Sequence, residues 1–101
     1  MEITAVKNFK ELHIGIRLFL ILISISDKDG CIRTNKSDLA KAVGSSRQTV
    51  ALYINSFVKS NILKFKYSGL ARINPNFYYS GDPIRKNLVV SEYEAFKSDV
   101  I

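Results

Sequence analysis

Leu39-Ala40-Lys41-Ala42-Val43-Gly44-Ser45-Ser46-Arg47-Gln48-Thr49-Val50 reads as two helices joined by a tight turn. Leu39, Ala40 and Val43 form the apolar stripe of a helix over Lys36–Val43. Asn35 stands at its N-cap, and Asp38, three residues on, is placed to complete a capping box. Gly44 follows directly, where a helix ends in the left-handed conformation that glycine adopts at least cost. Ser46 is then a strong cap for a second helix over Arg47–Ser60, whose Val50, Ile54, Phe57 and Val58 repeat at helical spacing. Ala40 is small where the two helices must approach, and Gly44 lets them cross steeply. The pattern predicts a helix-turn-helix with Arg47, Gln48 and Thr49 facing outward in the first turn of the second helix. Ser45 is a departure, because an apolar residue commonly plugs the turn at that place.

Beyond Asn61 the period changes. Ile62-Leu63-Lys64-Phe65-Lys66-Tyr67 alternates in part, Ser68-Gly69 marks a tight turn, and Leu70 to Asn74 returns, which predicts a β-hairpin ended by Pro75. Upstream, Leu12–Ser26 reads as a helix apolar on most sides, with Leu12, Ile16, Phe19, Leu20 and Ile23 expected on its buried face. Asp27-Lys28-Asp29-Gly30 supplies turn chemistry, and Cys31-Ile32-Arg33 a short extended run. Met1–Lys10 fits either a strand or an arm. Downstream, Asn76-Phe77-Tyr78-Tyr79 is expected to form one turn of helix. Asp82-Pro83 then starts a last helix over about 83–97, with Ile84, Leu88, Val89, Tyr93 and Phe96 apolar. The expected fold is mainly α with a small β-hairpin, an α+β winged helix-turn-helix. One domain spans residues 1–101, and its C-terminal helix is a candidate dimerisation element.

The chain has 101 residues, of which 47% are hydrophobic and 24% charged, so wholesale disorder is excluded. Fifteen Lys and Arg face nine Asp and Glu, for a net charge of +6. The excess is concentrated. Residues 1–32 are neutral and 87–101 carry −2, whereas 33–86 carry ten bases against Asp38 and Asp82. Such a segment favours a polyanionic partner. The single Cys31 and single His13 exclude a disulfide within the chain and argue against zinc. Cys31 is expected to be a buried structural thiol and the compartment the cytoplasm. No paired carboxylates, phosphate-binding glycine loop or tyrosine nucleophile with a histidine cluster is present, so no enzymatic activity, metal or cofactor is expected. The longest apolar run, Leu18–Ile23, is too short to span a bilayer. No signal-peptide pattern precedes it, and no basic amphipathic helix suggests a membrane surface.

Leu39-Ala40 through Ser46-Arg47-Gln48-Thr49-Val50, with Ile73-Asn74-Pro75-Asn76, Gly81-Asp82 and Arg85-Lys86-Asn87, resembles the RepL family of small Firmicute plasmid replication proteins over about Cys31–Asn87. The first group is general to winged helices, and the Asn-Pro, aromatic, Gly-Asp series is more distinctive. The resemblance implies a winged-helix protein of a plasmid or mobile element that binds DNA. Family members are typically longer at the N-terminus. The expectation is therefore a non-enzymatic, sequence-specific double-stranded DNA-binding protein at a replication, partition or conjugative transfer origin, rather than an autonomous initiator. The alternatives are a transcriptional repressor, or an adaptor that recruits a relaxase or partition motor.

The expected DNA contacts are Lys36, Ser46, Arg47, Gln48, Thr49 and Asn55 from the helix-turn-helix, Lys64, Lys66 and Arg72 from the hairpin, and Arg85 and Lys86 beyond it. Lys64 and Lys66 are two apart and project from one strand face. The second helix offers only Arg47 and Lys59 as charges, beside Ala51 and Leu52. The wing is therefore expected to contribute at least as much as the helix, with Arg72 reading bases. The partners expected are double-stranded DNA, a second copy of the chain, and another plasmid-encoded protein. No membrane is expected among them. The homodimer follows from the extent of apolar surface on the first and last helices.

Overall fold

A computed structural model of the chain describes residues 13–99. The strand or arm expected at Met1–Lys10, and Leu12, lie outside the described residues. Within them the order is α1 (Ile14–Ile25), β1 (Cys31–Arg33), α2 (Lys36–Val43), α3 (Arg47–Lys59), β2 (Leu63–Phe65), β3 (Leu70–Ile73), a 3₁₀ turn (Pro83–Arg85) and α4 (Lys86–Ala95). The three strands form one antiparallel sheet in the order β1-β3-β2. This is an α+β winged helix, in which α2 and α3 make the helix-turn-helix and β2 and β3 the wing.

Each boundary has a local cause. Asn35 Oδ1 accepts from the Asp38 amide at 2.8 Å, and Asn35 Nδ2 donates to Asp38 Oδ2 at 3.1 Å. The expected capping box is thus closed side chain to side chain. Gly44 ends α2 at φ 74° while its N–H and that of Ser45 both donate to the Ala40 carbonyl. An added Cβ at Gly44 would meet nothing within 4 Å, so the backbone angle alone selects glycine there. Ser46 Oγ accepts from the Thr49 amide at 3.1 Å and starts α3. Between α1 and β1, Asp27 Oδ1 accepts from the amides of Asp29 and Cys31, each at 2.9 Å.

The core lies between α1, α2, α3 and one face of the sheet. Leu18, Leu22, Ile32, Leu39, Val50, Ile54 and Leu63 are at most 1% exposed, and no polar side chain is buried among the described residues. On α1 the buried positions are Leu18 and Leu22, whereas Ile16 and Leu20 are 52% and 43% exposed. The expected face of α1 is therefore corrected. An apolar helix gives no contrast from which to choose a face, and α2 and β1 select Leu18 and Leu22 by packing. At the start of the segment Asn76–Tyr79, residues 75–77 form a single hydrogen-bonded turn, closed by Phe77 and Tyr78 N–H on the Asn74 carbonyl and not continued as a longer helix.

The apolar residues of the last helix divide between two sides. Val89 and Tyr93 are 1% and 4% exposed, while Ile84 and Leu88 are 90% and 53% exposed. Beyond α4 the chain follows the outer edge of β2. Ser98 Oγ accepts from the Phe65 amide at 3.0 Å, Asp99 N–H donates to the Phe65 carbonyl at 3.0 Å, and Asp99 Oδ2 accepts from the Tyr67 amide at 3.1 Å. An edge strand is covered in this way against pairing with another chain.

Candidate nucleic-acid interface

Ser46 and Thr49 form the cap of α3. The Ser46 hydroxyl donates to Thr49 Oγ1 at 3.0 Å, so the two hydroxyls are joined. Arg47 and Gln48, between them in sequence, are exposed. The start of a helix carries free N–H groups and the positive end of the helix dipole, so an anion meets both there. Lys36, from the first turn of α2, joins Arg47, Gln48 and Ala51 around one shallow open concavity. Asn55, two turns further along α3, is half-buried, and Lys59 is exposed at the end of the helix.

Lys36 also reaches the wing. Its Nζ lies 5.2 Å from the ring centroid of Tyr67, at the hairpin tip, and 6.0 Å from that of Phe65. Tyr67 is 71% exposed. The helix-turn-helix and the tip of the wing are therefore joined through one cation–π contact. Tyr67 is not among the residues that sequence reasoning singles out. Its signal is an aromatic residue directly before the Ser68-Gly69 turn, where hairpin tips are ordinarily small and polar.

The strand bases are placed differently. Cys31, Arg72 and Lys64 are in register across the three strands. Their face of the sheet is opposite the core and is met by α4. Arg72 Nη2 pairs with Glu92 Oε2 at 2.9 Å, and its Nε and Nη2 lie 3.1 and 3.0 Å from Cys31 Sγ. Burial would lower the Arg72 pKa, but the hydrogen bonds to Glu92 and Cys31 outweigh it and hold the guanidinium above its ordinary value. The side chain is 13% exposed. Lys64 Nζ donates to the carbonyls of Tyr93 and Glu94 at 2.8 and 3.3 Å, at the negative end of the α4 dipole, where the Tyr93 carbonyl also accepts from the Phe96 amide at 3.2 Å. It also lies 4.5 Å from the Tyr93 ring centroid, and Lys66 Nζ lies 4.6 Å from that of Phe96. Lys64 and Lys66 do share a face, as their spacing requires, but that face carries the C-terminal segment. Arg72, expected to read bases, thus has its Nε and Nη2 engaged by Cys31 and Glu92 on the face that α4 covers. Cys31 is half-buried rather than fully buried, with its sulfur accepting from Arg72.

Arg85 pairs with Asp29 at 3.1 Å, and Lys86 opens α4 half-buried. Neither belongs to the concavity around Arg47. Among the described residues no group of three or more His, Cys, Asp or Glu is placed to hold a metal ion. No helix among them is long and apolar enough to cross a membrane.

Helix-turn-helix, three-stranded sheet and hairpin together define a winged-helix protein, with the exposed Arg47 and the half-buried Lys36 beside the start of α3. The chain belongs to the RepL family, since the family model for the Firmicute plasmid replication protein RepL matches residues 13–100. No curated protein and no solved structure gives a significant match.

Proposed function

We propose that this protein is a non-enzymatic, sequence-specific double-stranded DNA-binding protein. It acts in the cytoplasm at the replication origin of a plasmid, as a homodimer. The observation that carries the reading is the exposed pair Arg47 and Gln48 at the start of α3, flanked by Lys36 and by Tyr67 at the wing tip. Arginine pairs well with guanine edges and glutamine with adenine edges in the major groove, and a free helix N-terminus suits a phosphate. In this reading Lys36, Ser46, Arg47, Gln48, Thr49 and Asn55 form the DNA face, with Tyr67 at the wing tip, while Lys66 lies over Phe96 on the covered face. Lys64 and Arg72 hold α4 on the sheet instead. Arg85 and Lys86 add positive potential away from the base-reading helix.

The test is footprinting across the plasmid that encodes the protein, with affinity measured against salt. The expected result is one protected site in the replication origin, bound far more tightly than bulk DNA and weakened steeply by added salt. Protection of a repeated centromere-like array, a transfer origin or a promoter would replace replication with partition, transfer or repression. Equal affinity for all sequences would overturn sequence-specific binding itself.

A further inference from the structure

We propose that α4 is the self-pairing surface of the protein, with two copies packing α4 against α4 antiparallel about a two-fold axis. The inference deepens the homodimer of the proposed function and rests on that part of it. Ile84, Leu88, Ser91 and Ala95 are all exposed and recur at intervals of four, three and four residues. That is the spacing of a coiled-coil seam: it places Leu88, Ser91 and Ala95 in one narrow stripe of α4, which Ile84 extends from the 3₁₀ turn leading into the helix. Val89 and Tyr93 occupy the opposite side and are buried against the domain. The stripe is therefore additional to the face by which α4 holds its own sheet.

The side chains in the stripe commit it to one orientation. Large residues stand at its start and small ones at its end. In the antiparallel arrangement, Ile84 of one copy packs on Ala95 of the other, and Leu88 packs on Ser91, so each layer pairs a large residue with a small one. A parallel pair would set Ile84 on Ile84 and Ala95 on Ala95, leaving one end crowded and the other hollow. Charge agrees with this. Arg85 and Lys86 stand at the start of the helical segment, Glu92 and Glu94 towards its end. Antiparallel helices bring flanking positions of the same side together, which sets Arg85 beside Glu92 and Asn87 beside Glu94 of the second copy. Arg85 already pairs with Asp29, and Glu92 with Arg72. The new contact would join these two pairs across the axis.

The seam is short. From Ile84 to Ala95 it runs about 16 Å. It would bury roughly 300–400 Å² per copy, against about 800 Å² for a standard stable interface. The dimer is accordingly weak in free solution and is completed when two half-sites hold two copies together.

The experiment is analytical ultracentrifugation of the full chain from micromolar to near-millimolar concentration, with circular dichroism to confirm that each variant is folded. Wild type should shift from monomer to dimer across that range. Leu88→Glu acts twice in a symmetric interface and should weaken association by at least about 100-fold. Asn87→Glu sets a second acid beside Glu94 and should weaken it about fivefold. Adding Glu94→Lys to Asn87→Glu should restore association to the wild-type level or better, which a parallel pair would not do. Self-association that survives Leu88→Glu would overturn the α4 seam while leaving a homodimer through another face. Asn87→Glu without effect would overturn the antiparallel register. A monomer at every concentration, with one copy per DNA site, would overturn the homodimer and the seam together, and would leave DNA binding standing as a separate result.

Discussion

Replacing Arg72 by alanine should damage the fold and leave sequence discrimination intact, and Arg47→Ala should do the reverse. Arg72 is 13% exposed, and its guanidinium holds Glu92 at 2.9 Å and Cys31 Sγ at 3.0 and 3.1 Å. A hydrogen bond between charged partners is worth about 1.5–3 kcal/mol, and the thiol contacts add less. Glu92 is 38% exposed and regains water when Arg72 is removed, which draws the figure toward the lower end. The lost packing of the arginine stem raises it again. The expected cost is about 2 kcal/mol, or roughly 8–16 °C in Tm for a domain of this size. Thermal unfolding by circular dichroism measures it. At a temperature where both proteins are folded, the ratio of affinities for the origin site and for scrambled DNA should match wild type within about twofold, the size of an ordinary surface effect. For Arg47→Ala, Tm should barely move. Affinity for the true site should fall by about 1–3 kcal/mol if Arg47 reads a base, or the salt slope by about one if it holds a phosphate. An Arg72→Ala protein with wild-type Tm and no discrimination would refute this reasoning and show that the wing strand reads bases.

The other outcomes concern turn, core and titration. Gly44→Ala should cost about 1–2 kcal/mol, measured by urea unfolding, because φ is 74° and no neighbour opposes a Cβ. Leu18→Ala on the buried side of α1 should cost about 3–5 kcal/mol, whereas Ile16→Ala on the exposed side should stay within about 1 kcal/mol. Burial raises the Tyr93 hydroxyl from its ordinary value of 10.0 to about 12, with Asn61 Oδ1 accepting its hydrogen at 2.7 Å. The fold therefore favours the protonated phenol. This contribution is complete below pH 10 and is lost as pH rises from 10 to about 12. A tyrosinate titration of wild type against Tyr93→Phe should show the late-ionising group directly.

The local signals that made the fold legible were those that allow few alternatives. Asn35, Gly44, Ser46, the Ser68-Gly69 turn and Asp82-Pro83 each demand a particular backbone, and each stands where its residue type requires. The seven apolar residues of α1 in the run Leu18–Ile25 gave no such contrast, so its buried face followed only from what packs on it. The candidate site divided in the same way. Arg47 and Gln48 could be placed because they lie one and two residues past a cap, and a helix turn fixes where they point. Lys64 and Lys66 could be assigned to one face of the wing, since strand alternation is local, whereas the register that sets Arg72 beside Lys64 is not. What covers that face depends on a segment some 20–30 residues further on, which no local pattern reports.

The charge of the central segment thus meets two opposing demands. Its eight excess positive charges suit a polyanion, yet the sheet also needs cations to hold α4 and the residues after it. Lys64 fills the carbonyls at the end of α4, Arg72 takes Glu92, and Lys66 lies over Phe96. These contacts place acidic residues of 87–101 on the outer side of the wing. A DNA backbone approaching that side would meet Glu92, Glu94 and Asp99 as well as the strand bases. Approach from the α3 side meets Lys36 and Arg47 first. The C-terminal segment therefore does more than cover a sheet edge: it gives the domain a polarity of charge, which on the proposed function would turn the α3 side toward DNA. Adding Lys and Arg along a chain would miss this, because what matters is which of those bases have been left unpaired by the fold.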